Sequence, residues 1–292
     1  MRAVLIGVIV LWASLPARAQ EPRPLDWQPE WRRVSLLEGL ALIPVGVALL
    51  LIETQWKPPE EPRWEGGILF DDAARDLVRG RSREAQTAGA ELSDFLYLWG
   101  SALPVVLDVG VVALGVHRNP DLALQLLLID LQSLSVAGLV ALTAEHSVGR
   151  GRPYVEDCGP DGIVRDASGE PLRNSCGHGN DAKSFFSGHA AMTATVAGLT
   201  CVHHQRLPLY GGGFADLAPC LLTIGVSITT GIGRMVADMH WASDVIVGWG
   251  VGAFAGYVLP SLLRYDWPTG PRSTVALVPL ASGAALSWSG VL

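Results

Sequence analysis

His240 and Asp244 stand four residues apart in "GRMVADMHWASD". On a helix that spacing puts both on one face. There the carboxylate accepts the imidazole N–H, fixes the tautomer and makes the opposite ring nitrogen a better nucleophile or base. A second histidine, His189, closes "SFFSGH" at the mouth of an apolar run. Taken alone, Ser187-Gly188-His189 reads as an ordinary helix start, with Ser187 a good N-cap. The same three residues also offer a hydroxyl, free backbone N–H groups and the positive end of a helix dipole, a set that suits a phosphate. Arg152, in "EHSVGRGRPY", and Arg234 can each clamp phosphate oxygens with a planar fork. Phosphoryl transfer needs positioning and charge neutralisation more than covalent ingenuity. Two arginines and a helix N-terminus supply the neutralisation without a metal, and two histidines divide the nucleophile and acid roles.

Apolar elements must position these groups. The 292 residues are only 17% charged and carry a net charge of −7, and the mean hydropathy is +0.32. No basic cluster stands out, so nucleic acid is excluded as a partner. Long apolar stretches alternate with short polar ones, as in a polytopic membrane protein. A crossing helix needs about 20 mainly apolar residues. Five stretches fit: Phe95 to Val116, Leu122 to Thr143, His189 to Val202, Phe214 to Thr230 and Val245 to Leu263. A sixth, Leu36 to Ile52, is only just long enough and holds Glu38 and Pro44. The three polar islands lie at span ends with an even number of crossings between them, which places them on one membrane face. Residues 71–89 suggest a charged interfacial helix. After Trp267 the pattern alternates, and "STVALVPL" and "AALSWSGVL" flank Ser282-Gly283 as in a small hairpin. The first nineteen residues have the layout of a secretory signal peptide, with Ala17-Arg18-Ala19 as the cleavage site.

The order Arg-Pro, then Ser-Gly-His, then Arg-x5-His-x3-Asp resembles the type 2 phosphatidic acid phosphatase/haloperoxidase superfamily, over roughly Phe95 to Tyr265. The resemblance implies an all-helical membrane core of five to six spans, covering 93–266 behind an N-terminal segment of 20–92 and before a tail of 267–292. It implies that His240 attacks phosphorus and forms a phosphohistidine, that Asp244 orients and activates His240, and that His189 protonates the leaving oxygen and later activates water. Arg152, Ser187, Gly188 and Arg234 would hold the phosphoryl oxygens, with no cofactor. The substrate would be a phospholipid or polyprenyl phosphate in a bacterial-type inner membrane. Three positions depart from the family pattern: Glu145 stands where the motif starts with lysine, Phe186 where proline precedes the serine, and Gly233 where serine precedes the second arginine. Glu145 is the departure that matters, because it exchanges a cation for an anion two helical turns before Arg152. Lys183 is close enough in sequence to Ser187 to replace the missing charge. Two other readings use the same residues: a catalytically impaired relative that binds phospholipid, which rests on Glu145, and a vanadate haloperoxidase, whose substrates give no reason for membrane spans.

His178, His203, His204, Cys176 and Cys201 lack the short regular spacings of a zinc site, so no metal is expected. His203 and His204 read as part of a loop at the non-catalytic face, Asp108 and Asp130 as structural partners facing the bundle, and Cys201 and Cys220 as buried thiols. Cys158 and Cys176 flank one polar loop in a chain that carries an export signal, and a disulfide closing that loop is expected. The family resemblance and that disulfide both ask for a site facing the exterior. If the signal is cleaved, parity permits this only where Leu36 to Ile52 does not cross.

Overall fold

A computed structural model describes residues 25–265, 273–280 and 283–290. The expected signal peptide lies outside the described residues. Helix α1 (Leu36–Leu40) starts with a capping box between Ser35 and Glu38, and α2 (Leu42–Gln55) continues it. The expected interfacial helix is in fact two elements. α3 (Asp71–Val78) ends before Ser82, whose hydroxyl caps α4 (Arg83–Val105) by accepting from the Ala85 N–H. Pro104 removes one helical N–H near the end of α4, and the chain goes on as a π-helix over Val106–Val116. α5 (Pro120–Ser147) begins on the Asn119 side-chain cap with proline at its first position.

The loop after α5 holds strands β1 (Ile163–Arg165) and β2 (Pro171–Ser175), which pair antiparallel around Val164 and Leu172. A Cys158–Cys176 disulfide closes this hairpin as expected, with Cα atoms 6.4 Å apart. Then come α6 (Gly188–Arg206), α7 (Phe214–Val236) and α8 (Ala242–Ala253). A short π-helical run over Phe254–Val258 leads from α8 into α9 (Leu259–Leu263). Strands β3 (Ser273–Leu280) and β4 (Gly283–Gly290) pair antiparallel as the tail hairpin.

α6 is the axis of the bundle, packed against α4, α5, α7 and α8. Fourteen of its nineteen residues are buried. Five other segments among the described residues are long and apolar enough to cross a membrane: Leu36–Gln55, Arg83–Val116, Pro120–Ser147, Phe214–Val236 and Ala242–Leu263. The order of apolarity expected from sequence is therefore reversed at two places. The marginal stretch at Leu36 is the most hydropathic span, and no residue of its apolar window is buried. The His189 stretch is the least lipid-like because protein surrounds it. Close approach explains its small residues: a side chain at Gly252 or Gly256 would run into the α6 backbone at Ala191 or Thr195.

Contacts at the two ends of Leu36–Gln55 show that it runs the length of the bundle. At its start Glu38 accepts from Arg264, 3.0 Å away at the close of the last span. At its finish the Trp56 carbonyl accepts from His146, 2.5 Å away at the end of α5. If this segment crosses a membrane, a cleaved export signal and an outward-facing site exclude one another by parity.

Cys201 and Cys220 are not free thiols. They form a second disulfide, with Cα atoms 4.5 Å apart. Cys201 lies five residues before the end of α6 and Cys220 six after the start of α7, so antiparallel packing brings them to one depth.

Candidate active site

The three polar islands meet at one end of the bundle. Ser187 caps α6, its hydroxyl accepting from the Ala190 N–H at 3.4 Å. That leaves the Gly188 N–H at the helix mouth, and the Glu145 carboxylate occupies it at 3.2 Å. Sequence spacing put Glu145 on a helical face with Arg152, but α5 stops at Ser147 and the chain turns away through Gly149, whose φ is +73°. Glu145 meets the start of α6 instead, with Arg152 and Lys183 near enough to act on it through their charges. The Lys183 ammonium has no hydrogen-bond partner among the described residues.

Arg152 is held from two sides. Its Nε donates to the Asn180 carbonyl at 2.9 Å and its Nη1 to the Met239 carbonyl at 3.1 Å, next to His240. Arg234, on the last turn of α7, donates to Asp94 at 2.8 Å, while its Nε is buried with no partner among the described residues. Asp94 also meets the His189 Nε2 at 3.0 Å, so one α4 carboxylate bridges two of the motif residues. The Tyr97 ring stacks on His189 with centroids 4.4 Å apart.

His240 and Asp244 do not form the expected pair. α8 begins at Ala242 and Trp241 is its N-cap, so His240 lies outside the helix and the four-residue rule does not apply to it. Asp244, three residues into α8, turns back to accept from the Trp241 N–H at 3.0 Å. Its other partners are Arg150 Nη1 at 2.5 Å and Ser184 Oγ at 2.6 Å. The His240 Nδ1 donates to the Ser184 carbonyl at 2.8 Å. Ser184 therefore links the two residues. That bond fixes the tautomer and leaves Nε2 with a free lone pair and no partner among the described residues. Burial holds the His240 imidazole well below its usual range, reinforced by the positive charges of Arg152 and Arg234, so the ring is neutral at neutral pH.

Sequence reasoning missed Asp94, Arg150 and Ser184. Ser184 and Arg150 stand inside islands already singled out, but nothing in their spacing announces a partner. Asp94 carried one weak signal, a lone acidic residue at the edge of an apolar run. At the opposite end of the bundle, His203 and His204 are not in a loop. They form part of the last turn of α6 and are buried. His203 bridges Asp130 at 2.9 Å and the Tyr265 hydroxyl at 2.7 Å. His204 bridges Asp216 at 2.6 Å and Asp108 at 3.3 Å. Asp108 and Asp130 are the bundle-facing partners that their position suggested. Among the described residues no group of three or more His, Cys, Asp or Glu side chains is arranged to hold a metal ion.

Comparison with known proteins gives three findings. The profile of the PAP2 superfamily matches residues 126–268. A crystal structure of a transmembrane PAP2-type phosphatidylglycerolphosphate phosphatase from Bacillus subtilis aligns with a TM-score of 0.45 and 15% identity, covering 76% of this chain and 94% of that one. A search of curated proteins finds no match. Residues 126–268, which carry all three motif islands in the family's order, belong to the PAP2 superfamily, in a chain with five segments among the described residues long and apolar enough to cross a membrane.

Proposed function

We propose that the chain hydrolyses a phosphate or diphosphate ester on a lipid, through a phosphohistidine at His240. The observation that carries this reading is the His240 ring, neutral and tethered through Nδ1, with an open Nε2 among Arg152, Arg234 and His189. Nε2 attacks phosphorus, and an N–P bond forms as the P–O bond to the lipid breaks. Arg152 and Arg234 neutralise the charge on the equatorial oxygens. His189 gives its proton to the leaving lipid oxygen and then takes one from water, whose attack releases phosphate and restores His240. Asp94 holds the Nε2 side of His189 and leaves Nδ1 open for that exchange. Asp244 acts on His240 at one remove, through Ser184. The site sits where spans end, which suits a substrate whose head group lies at the interface and whose chains stay in the bilayer.

A second reading keeps the fold and loses the turnover, because Glu145 occupies the Gly188 N–H that a phosphoryl oxygen would use. A phosphate-release panel in detergent separates the two. Phosphatidate, phosphatidylglycerol phosphate and a polyprenyl diphosphate are the probes. Release from at least one supports the phosphatase reading, and silence across all three supports the impaired relative. For topology we propose the outward-facing site, supported by the disulfide that closes the loop beside it. If Leu36–Gln55 crosses, this reading gives up residues 1–19 both as a cleaved signal and as a crossing anchor, because either one leaves Gln20 outside. A labelled cysteine at the exposed Glu170 should react with an impermeant reagent in intact cells, and an unreactive one would reverse the orientation.

A further inference from the structure

The family match begins at residue 126, yet a connected chain of buried polar contacts reaches His240 from α3, near residue 71. Asp71 is fully buried at the start of α3. Its carboxylate accepts from Arg150 Nη2 at 2.7 Å and from the Ser243 N–H and hydroxyl, both at 2.7 Å. The Arg150 guanidinium lies between the rings of Trp64 and Trp241, 4.2 and 5.4 Å from their centroids, and its other Nη holds Asp244. Asp244 accepts from Ser184 Oγ, and the Ser184 carbonyl holds His240. One turn along α3, Arg75 grips Asp238 with two bonds of 2.8 and 2.7 Å. Asp238 has a φ of +59°, a left-handed turn that only a few per cent of non-glycine residues adopt. It is the turn that brings the chain from α7 to His240.

We propose that α3 is a clamp on the catalytic loop, with Asp71 and Arg75 as positioning residues for His240. Arg150 is the joint between the clamp and the site. An Asp71–Arg150–Asp244 triad with no exposed side chain is costly to desolvate unless all its charges are matched. Removing the α3 carboxylate would leave one carboxylate for the guanidinium. Arg150 would then move toward Asp244 or draw it out of place, and the Ser184 carbonyl would lose its register with Nδ1. The N-terminal segment is thus part of the working site, although it touches no substrate.

The inference rests on His240 as the reacting group, so its test has two readouts. The variants are Asp71→Asn, Arg75→Lys, Ser184→Ala and the double variant Asp71→Asn with Ser184→Ala, each in the full-length protein in detergent. The first readout is kcat and KM on whichever lipid phosphate of the panel the wild type cleaves. Misplacing a reacting group by about 1 Å costs about 10²-fold. kcat should fall by about that factor in Asp71→Asn and by less in Arg75→Lys, with KM within about twofold, because ground-state binding is untouched. The double variant should be little worse than its worse parent, since both act through one chain. The second readout is the rate of His240 acylation by diethylpyrocarbonate, followed by peptide mapping, which needs no turnover. It should change in Asp71→Asn and Ser184→Ala alike. Wild-type kcat with wild-type His240 reactivity in both α3 variants overturns the clamp, as do losses that multiply in the double variant. If the wild type cleaves nothing, the functional reading fails, and the acylation rates alone decide the clamp. Should Asp71→Asn fail to fold, Arg75→Lys carries both readouts.

Discussion

At one end of α6, His189 meets Asp94, with His240 and three arginines close by. Fourteen residues along the same helix, about 21 Å away at 1.5 Å per residue, His203 and His204 meet Asp130, Asp108 and Asp216. The side-chain types are nearly the same and the use is opposite. At the far end every ring nitrogen has a partner, and the tyrosines Tyr265 and Tyr210 close the set. Nothing is left to bind an anion, and the carboxylates would repel one. At the near end arginines absorb the carboxylates, His240 leans on a neutral carbonyl, and its Nε2 stays open. A buried histidine with a carboxylate or a tyrosine hydroxyl on each ring nitrogen is a fastening. Reactivity requires an open nitrogen and surplus positive charge.

The largest test of that contrast exchanges the two ends. His240→Ala should lower phosphate release by about 10⁴-fold or more. His189→Ala should cost nearly as much, and the pair little more than either, because residues acting as a unit are not additive. His203→Ala should leave turnover per folded molecule close to wild type. It should instead destabilise by about 3–5 kcal/mol, since Asp130 would be buried without its partner. Thermal inactivation in detergent measures the second effect and initial rates the first. A collapse of turnover in folded His203→Ala would end the distinction between the two ends.

Glu145 is held by the Gly188 N–H and not by an arginine, which makes it an exception to the contrast. Glu145→Lys frees the Gly188 N–H and supplies a donor. One clamp group elsewhere is worth about 10² to 10³ in rate, so phosphate release should rise by about 10-fold or more. A fall would show that Glu145 serves the reaction. Asp94→Asn keeps the shape and removes the charge from His189 and Arg234, and should lower kcat by about 10-fold, less than the roughly 10² that losing a whole general acid–base group costs, because His189 itself remains.

The pH dependence is the smallest and sharpest test. The folded-state value of His240 is depressed by burial and by two arginines, so neutral imidazole persists below pH 6.5. The acid limb of kcat/KM attributable to His240 should therefore lie below pH 6.5. Arg152→Gln or Arg234→Gln removes a charge that disfavours protonation and should move that limb upward. The sign for stability follows from the same shift. Above 6.5 both folded and unfolded histidine are neutral, and the contribution is fully present. As pH falls from 6.5 toward the folded-state value, the unfolded chain takes up the proton first and stability is lost. An acid limb above 6.5 would mean that the ring is solvated.

What could be read from the sequence was local or additive. Apolar run lengths located the spans, since each depends on about 20 consecutive residues. Caps at Ser187 and Asn119 follow from residues within one turn of them, and the Cys158–Cys176 pair from one short loop. The motif order brought the candidate catalytic residues into view. Partners were another matter. Asp94 and His189 are 95 residues apart, and Asp71 and Arg150 are 79 apart, with no periodicity linking them. Packing of α3 and α4 beside α6 decided both contacts. The His240–Asp244 spacing misled because a helix rule was applied across a helix start, whose place depends on where Asp244 finds its donors. Which span faces lipid was likewise decided by the neighbours around α6 and not by hydropathy, because burial in protein and burial in lipid favour different surfaces. Hydrogen bonds and ion pairs act over a few ångströms, and only the folded chain sets which residues stand that close.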